Sequence, residues 1–380
     1  MQTKMPANAP ATPISAKQHL PVLDGVRAIA VLLVICFHFW LAFANGQHNL
    51  VGKLALWGQT GVDLFFVLSG FLITGILLDS KGSEHFLRNF YVRRILRIFP
   101  LYYATLFAIY LLCPLLHLTA WTAWKQSAWY WVYLQNIPDT FAPSLASGPQ
   151  HFWSLAVEEH YYLVWPFLVM LLARDKLLKV IGLAIAVSLL TRVLLSQYET
   201  FYFTLCRLDG LAIGSAIAIF ARSRPTGLAS YAVWAKRLLF LLGPALVITQ
   251  LLVSGKSLLA VQVSKSTLIA LAYACVMVLA IENRCGALVQ KLLSGRILGS
   301  IGKYSYGMYV LHPFILAGLH AAGLRYSVFG LLVSALLTYL AAWISWTLFE
   351  KRFLRLKRYF EYSSIRRVPS VSASPIAVEA

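Results

Sequence analysis

Charge is scarce in this chain. Only 12% of its 380 residues are Asp, Glu, Lys or Arg, where a soluble domain carries roughly a quarter, and that excludes an ordinary water-soluble enzyme. Acidic residues are the rarest, 14 against 33 basic ones. The five cysteines (Cys36, Cys113, Cys206, Cys275 and Cys285) form an odd set with no CxxC spacing. Neither a disulfide framework nor a metal site is indicated, so no metal is expected. There is no internal repeat, no Walker or dinucleotide-binding glycine pattern, and no soluble second domain. The formal charge of +19 does not mark a nucleic-acid binder, because that requires a basic face on a soluble domain.

What the chain does have is apolar sequence: 59% hydrophobic residues and a mean hydropathy of +0.70. Runs close to bilayer-crossing length recur throughout. The fold class expected is therefore all-α, a polytopic integral membrane protein of about ten transmembrane helices. The spans fall near 26–44, 57–78, 99–116, 153–173, 177–195, 203–221, 237–254, 264–282, 304–322 and 327–349, each roughly 27–35 Å long as helix. Lys and Arg set the orientation. With the N-terminus inside, Lys4, Lys17, Arg27, the basic loop 79–100 and the basic tail all fall on the cytoplasmic side, so both termini are expected there. The organisation reads as 1–22, a disordered cytoplasmic N-terminus; 23–350, the transmembrane domain; and 351–380, a basic then disordered cytoplasmic tail. Residues 28–41 with Ala42-Phe43-Ala44 mimic a cleavable signal. The long preceding segment with Pro21 and Asp24, and the spans that follow, argue against cleavage.

The stretch Trp121–Pro138 differs in kind. Its tryptophans and tyrosines are interrupted by Lys125, Gln126, Gln135 and Asn136. It reads as an amphipathic segment in the outer interface, where aromatic rings settle, with a sugar-stacking platform as the sharper alternative.

Ionisable groups inside spans are expensive and so point to function. Span one has His38, span two Asp63, span four Glu158, Glu159 and His160, span six Arg207 and Asp209, and span nine His312, with His320 near its outer end. His38 lies eleven residues beyond Arg27, about 16 Å deeper and back on nearly the same helix face. Depth estimates place His38, Asp63, Glu158, Glu159 and His312 together in the outer half of the membrane, as one site. Arg207 and Asp209 are expected to pair with each other at the outer rim. At the cytoplasmic rim Arg93, Arg94 and Arg97 lie at helical spacing. They are either positive-inside anchors or an anion site, since Arg forks match phosphate oxygens.

Five stretches now carry a resemblance. They are Leu23-Asp24-Gly25-Val26-Arg27 through His38; Gly61-Val62-Asp63-Leu64-Phe65-Phe66-Val67-Leu68-Ser69-Gly70-Phe71; Arg94-Ile95-Leu96-Arg97; His151-Phe152-Trp153-Ser154-Leu155-Ala156-Val157-Glu158-Glu159; and Tyr304-Ser305-Tyr306-Gly307 through His312. In this order, over about residues 20–350, the chain resembles the membrane acyltransferase type 3 family, which O-acetylates bacterial surface glycans and some small molecules. One departure is His160, where the family commonly has Gln. The chain looks like the stand-alone form, without the extracytoplasmic esterase-like domain of some members.

The resemblance implies a multi-pass protein of the bacterial inner membrane with acyl-coenzyme A as donor, the acyl group being acetyl. It implies a glycan or glycolipid acceptor such as O-antigen or exopolysaccharide, and the lipid bilayer as the other partner. On that basis Arg27, Arg93, Arg94 and Arg97 would hold the donor's phosphates. His38 would act as general base, or as a transient acyl carrier. Asp63, Glu158 or Glu159 would orient His38. Ser69 would donate to the thioester carbonyl or satisfy nearby backbone. His312 would take part in the chemistry or hydrogen-bond within the core. The competing class is a secondary transporter or exporter of a sugar-related metabolite, which also places charges mid-membrane. The missing repeat and the lack of matched broken spans speak against it.

Overall fold

A computed structural model describes residues 20–44, 52, 55–115, 124–145, 147–223, 227–252 and 259–362. The two ends expected to be disordered, and Trp121–Ala123, lie outside the described residues. Within them there are helices and no strand. The protein is an all-α polytopic membrane protein.

Ten long helices follow one another: α1 Pro21–Phe43, α2 Gly61–Ser80, α3 Phe86–Phe107, α4 Trp153–Leu171, α5 Arg174–Leu194, α6 Leu208–Ser223, α7 Ala229–Leu252, α8 Leu259–Ile281, α9 Arg296–Ala321 and α10 Val328–Ser345. They lie where the ten apolar runs fall. Seven of the helices, those built on α1, α2, α3, α5, α7, α8 and α10, are long and apolar enough by themselves to cross a membrane. The other three, α4, α6 and α9, carry Glu158, Asp209 and His312.

Local signals explain the element ends. Pro21 opens α1 where its missing N–H costs nothing. Ser327 caps α10 by accepting from the Gly330 N–H at 2.9 Å. One boundary differs from expectation in a way that matters. The third span was placed at 99–116, but α3 begins at Phe86 and runs on through a π-turn at Ala108–Leu112 to Leu115. Arg94 and Arg97 are therefore eight and eleven residues inside a helix, about 12 and 16 Å from its start. Both line a cavity between the helices.

α1 packs along α9, and α2 along α6. The α2–α6 crossing is backbone against backbone: a Cβ added at Gly70 would come within 2.0 Å of the Leu211 carbonyl oxygen, and one at Gly214 within 2.0 Å of that of Val67. Without a hydrophobic drive in lipid, such close approach of small residues is what holds helices together. Thr74 donates to Ser215 across the crossing at 2.7 Å, and Trp165 of α4 donates to Thr74 at 2.7 Å. Gly214→Ala should lower the thermal midpoint of the detergent-purified protein by several degrees. Gly182→Ala, where nothing lies within 4 Å, should leave it unchanged or raise it. Equal behaviour of the two would refute the close-packing account.

The aromatic segment is not one amphipathic ribbon. It folds into two short helices, Trp124–Trp131 and Asn136–Phe141, separated by Tyr133 at φ 57°. Two of its polar interruptions turn inward: Gln135 and Asn136 are fully buried, donating to the Phe152 carbonyl at 2.7 Å and to Thr204 Oγ1 at 2.7 Å. Tyr133 stacks on Tyr102 of α3 at 4.2 Å between ring centroids.

Candidate functional site

Two cavities meet inside the bundle. The first, of about 230 Å³, is lined by His38, Gln59, Gln150, His151, Trp153, Phe201, Tyr202 and Tyr309, among others. The second, of about 130 Å³, is lined by Arg27, Ser69, Arg94, Arg97, Glu158, Tyr162 and Tyr306, among others. Val62 and Tyr309 belong to both walls. The stripe on α1 is real: its Arg27 end faces the second cavity and its His38 end the first. Tyr309 is fixed in the partition, its hydroxyl donating to the His151 carbonyl at 2.7 Å and lying 2.5 Å from Ser154 Oγ.

His38 has a histidine, not a carboxylate, as its side-chain partner. His312, fully buried on α9, places Nδ1 at 2.7 Å from the Tyr309 carbonyl and Nε2 at 3.2 Å from His38 Nδ1. A carbonyl only accepts, so His312 carries its proton on Nδ1 and offers a lone pair at Nε2. His38 Nδ1 also lies 3.0 Å from the Val34 carbonyl, so it bears a proton shared between these two acceptors. The remaining nitrogen, His38 Nε2, is thereby left as a lone pair, with no protein partner among the described residues. His151 stands beside them, its ring 5.2 Å from that of His312 and its Nε2 3.2 Å from the Val310 carbonyl.

The expected single constellation is thus divided. Asp63 does not reach His38. It accepts from Arg207 Nη2 at 2.6 Å in a pair buried on both sides. Arg207 and Asp209 do not pair with each other: Arg207 lies in the turn before α6 and donates to Asp63 and Ser266 instead. Asp209 binds Arg192 of α5 at 2.6 Å and also accepts from Thr267 at 2.5 Å. Glu158 lies on the arginine side, accepting from Ser69 at 2.7 Å and Tyr162 at 3.1 Å. That commits the Ser69 proton and removes it as a donor to the thioester. Glu159, one residue on and turned about 100° away, lines neither cavity. Its Oε1 is buried without a partner among the described residues. His160 bonds Thr204 Oγ1 at 2.7 Å, tying α4 to the loop before α6. Among the described residues, no group of acidic residues, His and Cys could hold a metal.

Of the four arginines, three face the second cavity. Arg27 is paired with Asp24 at 2.8 Å, Arg94 lies over the Tyr162 ring at 5.6 Å, and Arg97 over Tyr306 at 5.8 Å. Arg93 is the exception. Adjacent residues on a helix differ by about 100°, and its guanidinium turns away to donate to the carbonyls of Lys357 at 3.0 Å and Phe360 at 3.3 Å.

His151 and Tyr309 are the cavity residues that a search of span interiors overlooks. His151 precedes the fourth span by two positions, and Tyr309 is uncharged. Their presence in the motif stretches beside Trp153 and His312 was the available signal.

A helical membrane bundle with a histidine cavity joined to an arginine cavity defines the class. The chain belongs to the acyltransferase type 3 family, whose acyltransferase-domain model matches residues 20–350. Among curated relatives, Bacillus subtilis YrhL, whose name assigns it to peptidoglycan O-acetylation, is 35% identical over 53% of this chain and 33% of its own length. The peptidoglycan O-acetyltransferase OatA of Listeria monocytogenes is 32% identical over 53% of this chain and 34% of its own. The O-acetyltransferase OatA of Staphylococcus aureus is 27% identical over 95% and 61%. The chain thus spans between a third and three fifths of the length of these relatives. No solved structure matches it.

Proposed function

We propose that the protein is a membrane O-acyltransferase that moves an acetyl group from cytoplasmic acetyl-coenzyme A to a hydroxyl of a glycan or lipid-linked sugar presented on the far side of the bacterial inner membrane. The observation that carries this reading is the pair of cavities sharing the Val62–Tyr309 wall, one cationic and the other bearing a free imidazole nitrogen. Positive-inside orientation assigns the arginine cavity to the cytoplasmic side, where the donor is made. Arg27, Arg94 and Arg97 bind its phosphates through charge-assisted hydrogen bonds. The pantetheine arm runs along α1 past the shared wall and brings the thioester toward His38, about 16 Å along the helix from Arg27.

The acceptor enters the other cavity, whose Trp153, Phe201 and Tyr202 rings beside Gln59 and Gln150 suit a sugar's apolar faces and hydroxyls. His38 Nε2 takes the hydroxyl proton as the oxygen attacks the thioester carbonyl. The imidazolium formed on His38 is supported through Nδ1 by His312 and the Val34 carbonyl. The carbon–sulfur bond breaks, the coenzyme A thiolate leaves and takes that proton back from His38, and the ester forms. The relatives named as O-acetyltransferases agree with this chemistry.

The test is transfer of labelled acetyl from acetyl-coenzyme A in membranes, with mass spectrometry of surface glycans from a deletion strain. Arg94→Ala with Arg97→Ala should weaken donor binding by about a hundredfold, each lost charged hydrogen bond being worth about 1.5–3 kcal/mol. Unaltered donor affinity would refute the phosphate assignment. Substrate uptake with no acyl product would favour the transporter.

A further inference from the structure

We infer that a third cavity, beside the histidine cavity, is a subsite for the neighbouring sugar of the acceptor, so that the preferred acceptor is an uncharged oligosaccharide rather than a single sugar or a small molecule. This rests on the acetyl-transfer reading above and names the substrate class of the same site.

The cavity, of about 160 Å³, lies between three parts of the chain at one face of the bundle: the turn Trp57–Thr60 before α2, the connection 199–207 leading into α6, and the first turns of α8 at 262–266. Successive helices alternate across the membrane, so the orientation that gives the arginine cavity to the cytoplasm puts these parts on the far side, where the acceptor is presented. Glu199, Gln262 and Lys265 are exposed at the mouth, while Asp63, Arg192 and Arg207 are buried at the floor. Gln59 and Phe201 line both this cavity and the histidine cavity. The Phe201 ring lies 4.8 Å from that of Trp153, a wall of the histidine cavity, and 4.9 Å from the Arg207 guanidinium carbon. A glycan with one residue before His38 continues over Phe201 into the third cavity.

The lining selects the ligand. Arg207 and Arg192 are each matched by a carboxylate at 2.6 Å, Asp63 and Asp209, so no anion is needed to balance them, and Lys265 and Glu199 carry opposite charges. Thr200, Gln262 and Ser266 add hydroxyls and an amide, and Trp57 and Phe201 add ring faces. That combination suits the hydroxyls and apolar faces of a neutral sugar. One buried donor also lacks an acceptor. Arg207 gives Nη2 to Asp63 and Nη1 to Ser266, but its Nε–H has no partner among the described residues. A buried N–H left unpaired is costly, and a sugar hydroxyl in this cavity supplies the oxygen.

The experiment uses membranes holding the full chain, labelled acetyl-coenzyme A, and the surface glycan of the deletion strain, partially hydrolysed and separated into mono-, di- and trisaccharide fractions. Wild-type kcat/KM should rise at least tenfold from the monosaccharide to the longer fractions. Gln262→Trp, which blocks the exposed mouth and spares the buried ion pairs, should bring that ratio close to one, and Thr200→Val should lower it about threefold. A wild-type ratio near one would overturn the proposal. So would a ratio unchanged in Gln262→Trp, or an equal loss on every fraction, which marks a merely structural role. Absence of transfer to every fraction and to the intact glycan would instead overturn the acetyl-transfer reading itself.

Discussion

Alanine at His38 is expected to lower acetyl transfer by about a thousandfold while leaving coenzyme A affinity within twofold. General-base catalysis by a positioned side chain contributes about 10²–10⁴-fold. Both nitrogens of His312 are engaged, whereas His151, with its Nε2–H on the Val310 carbonyl, keeps a lone pair at Nδ1 and is the competing base. With His38 as the base, His151→Phe should cost far less than His38→Ala. His312→Phe removes the acceptor for His38 Nδ1–H but leaves the Val34 carbonyl. It should cost roughly ten- to hundredfold, the usual toll for losing an orienting partner. The split matters: an unaffected rate in His38→Ala would eliminate it as the base. A His312→Phe loss equal to that of His38→Ala would move the base to His312.

The second large effect concerns stability. Removing one partner of a buried ion pair leaves an uncompensated charge, at a cost of about 3–5 kcal/mol. Asp63→Asn and Arg192→Met should each strip most of the stability from the detergent-purified protein, read as loss of the monodisperse elution peak and a large fall in thermal midpoint. A double-mutant cycle tests the pairing itself. Asp63→Asn combined with Arg207→Met should cost less than the sum of the two. Arg207→Met combined with Asp209→Asn should be nearly additive, because Asp209 serves Arg192 and Thr267 instead. The opposite pattern would mean that Arg207 and Asp209 are partners after all.

These pairings show where one-dimensional reading stops. Arg207 and Asp209 are neighbours in sequence and look like partners, yet each forms its ion pair with a different helix: Arg207 with Asp63 of α2, Asp209 with Arg192 of α5. Arg93 and Arg94 look interchangeable, but one faces the cavity and the other the C-terminal segment. Asp63, Glu158 and Glu159 were equal candidates to orient His38, and none touches it. Equal depth does not make a contact: α4 turns Glu158 toward the arginine cavity, while His38 lines the other. With α3 beginning at Phe86, the arginines rise into the bundle to meet Glu158.

The sequence by itself determined that this is a helical membrane protein, that it resembles the acyltransferase type 3 family, and that Arg27 and His38 share a stripe on one helix. Those features follow from hydropathy over about twenty residues and from the 3.6-residue turn, which are local quantities. Only the tertiary structure decided that His312 meets His38, that the ionisable groups separate into a histidine cavity, an arginine cavity and two buried ion pairs, and that Val62 and Tyr309 stand between the first two. A helix's own period says which face a residue occupies, but which other helix meets that face depends on packing between segments far apart in the chain. In lipid that choice is made by small residues such as Gly70 and Gly214 and by hydrogen bonds whose two ends no local pattern connects.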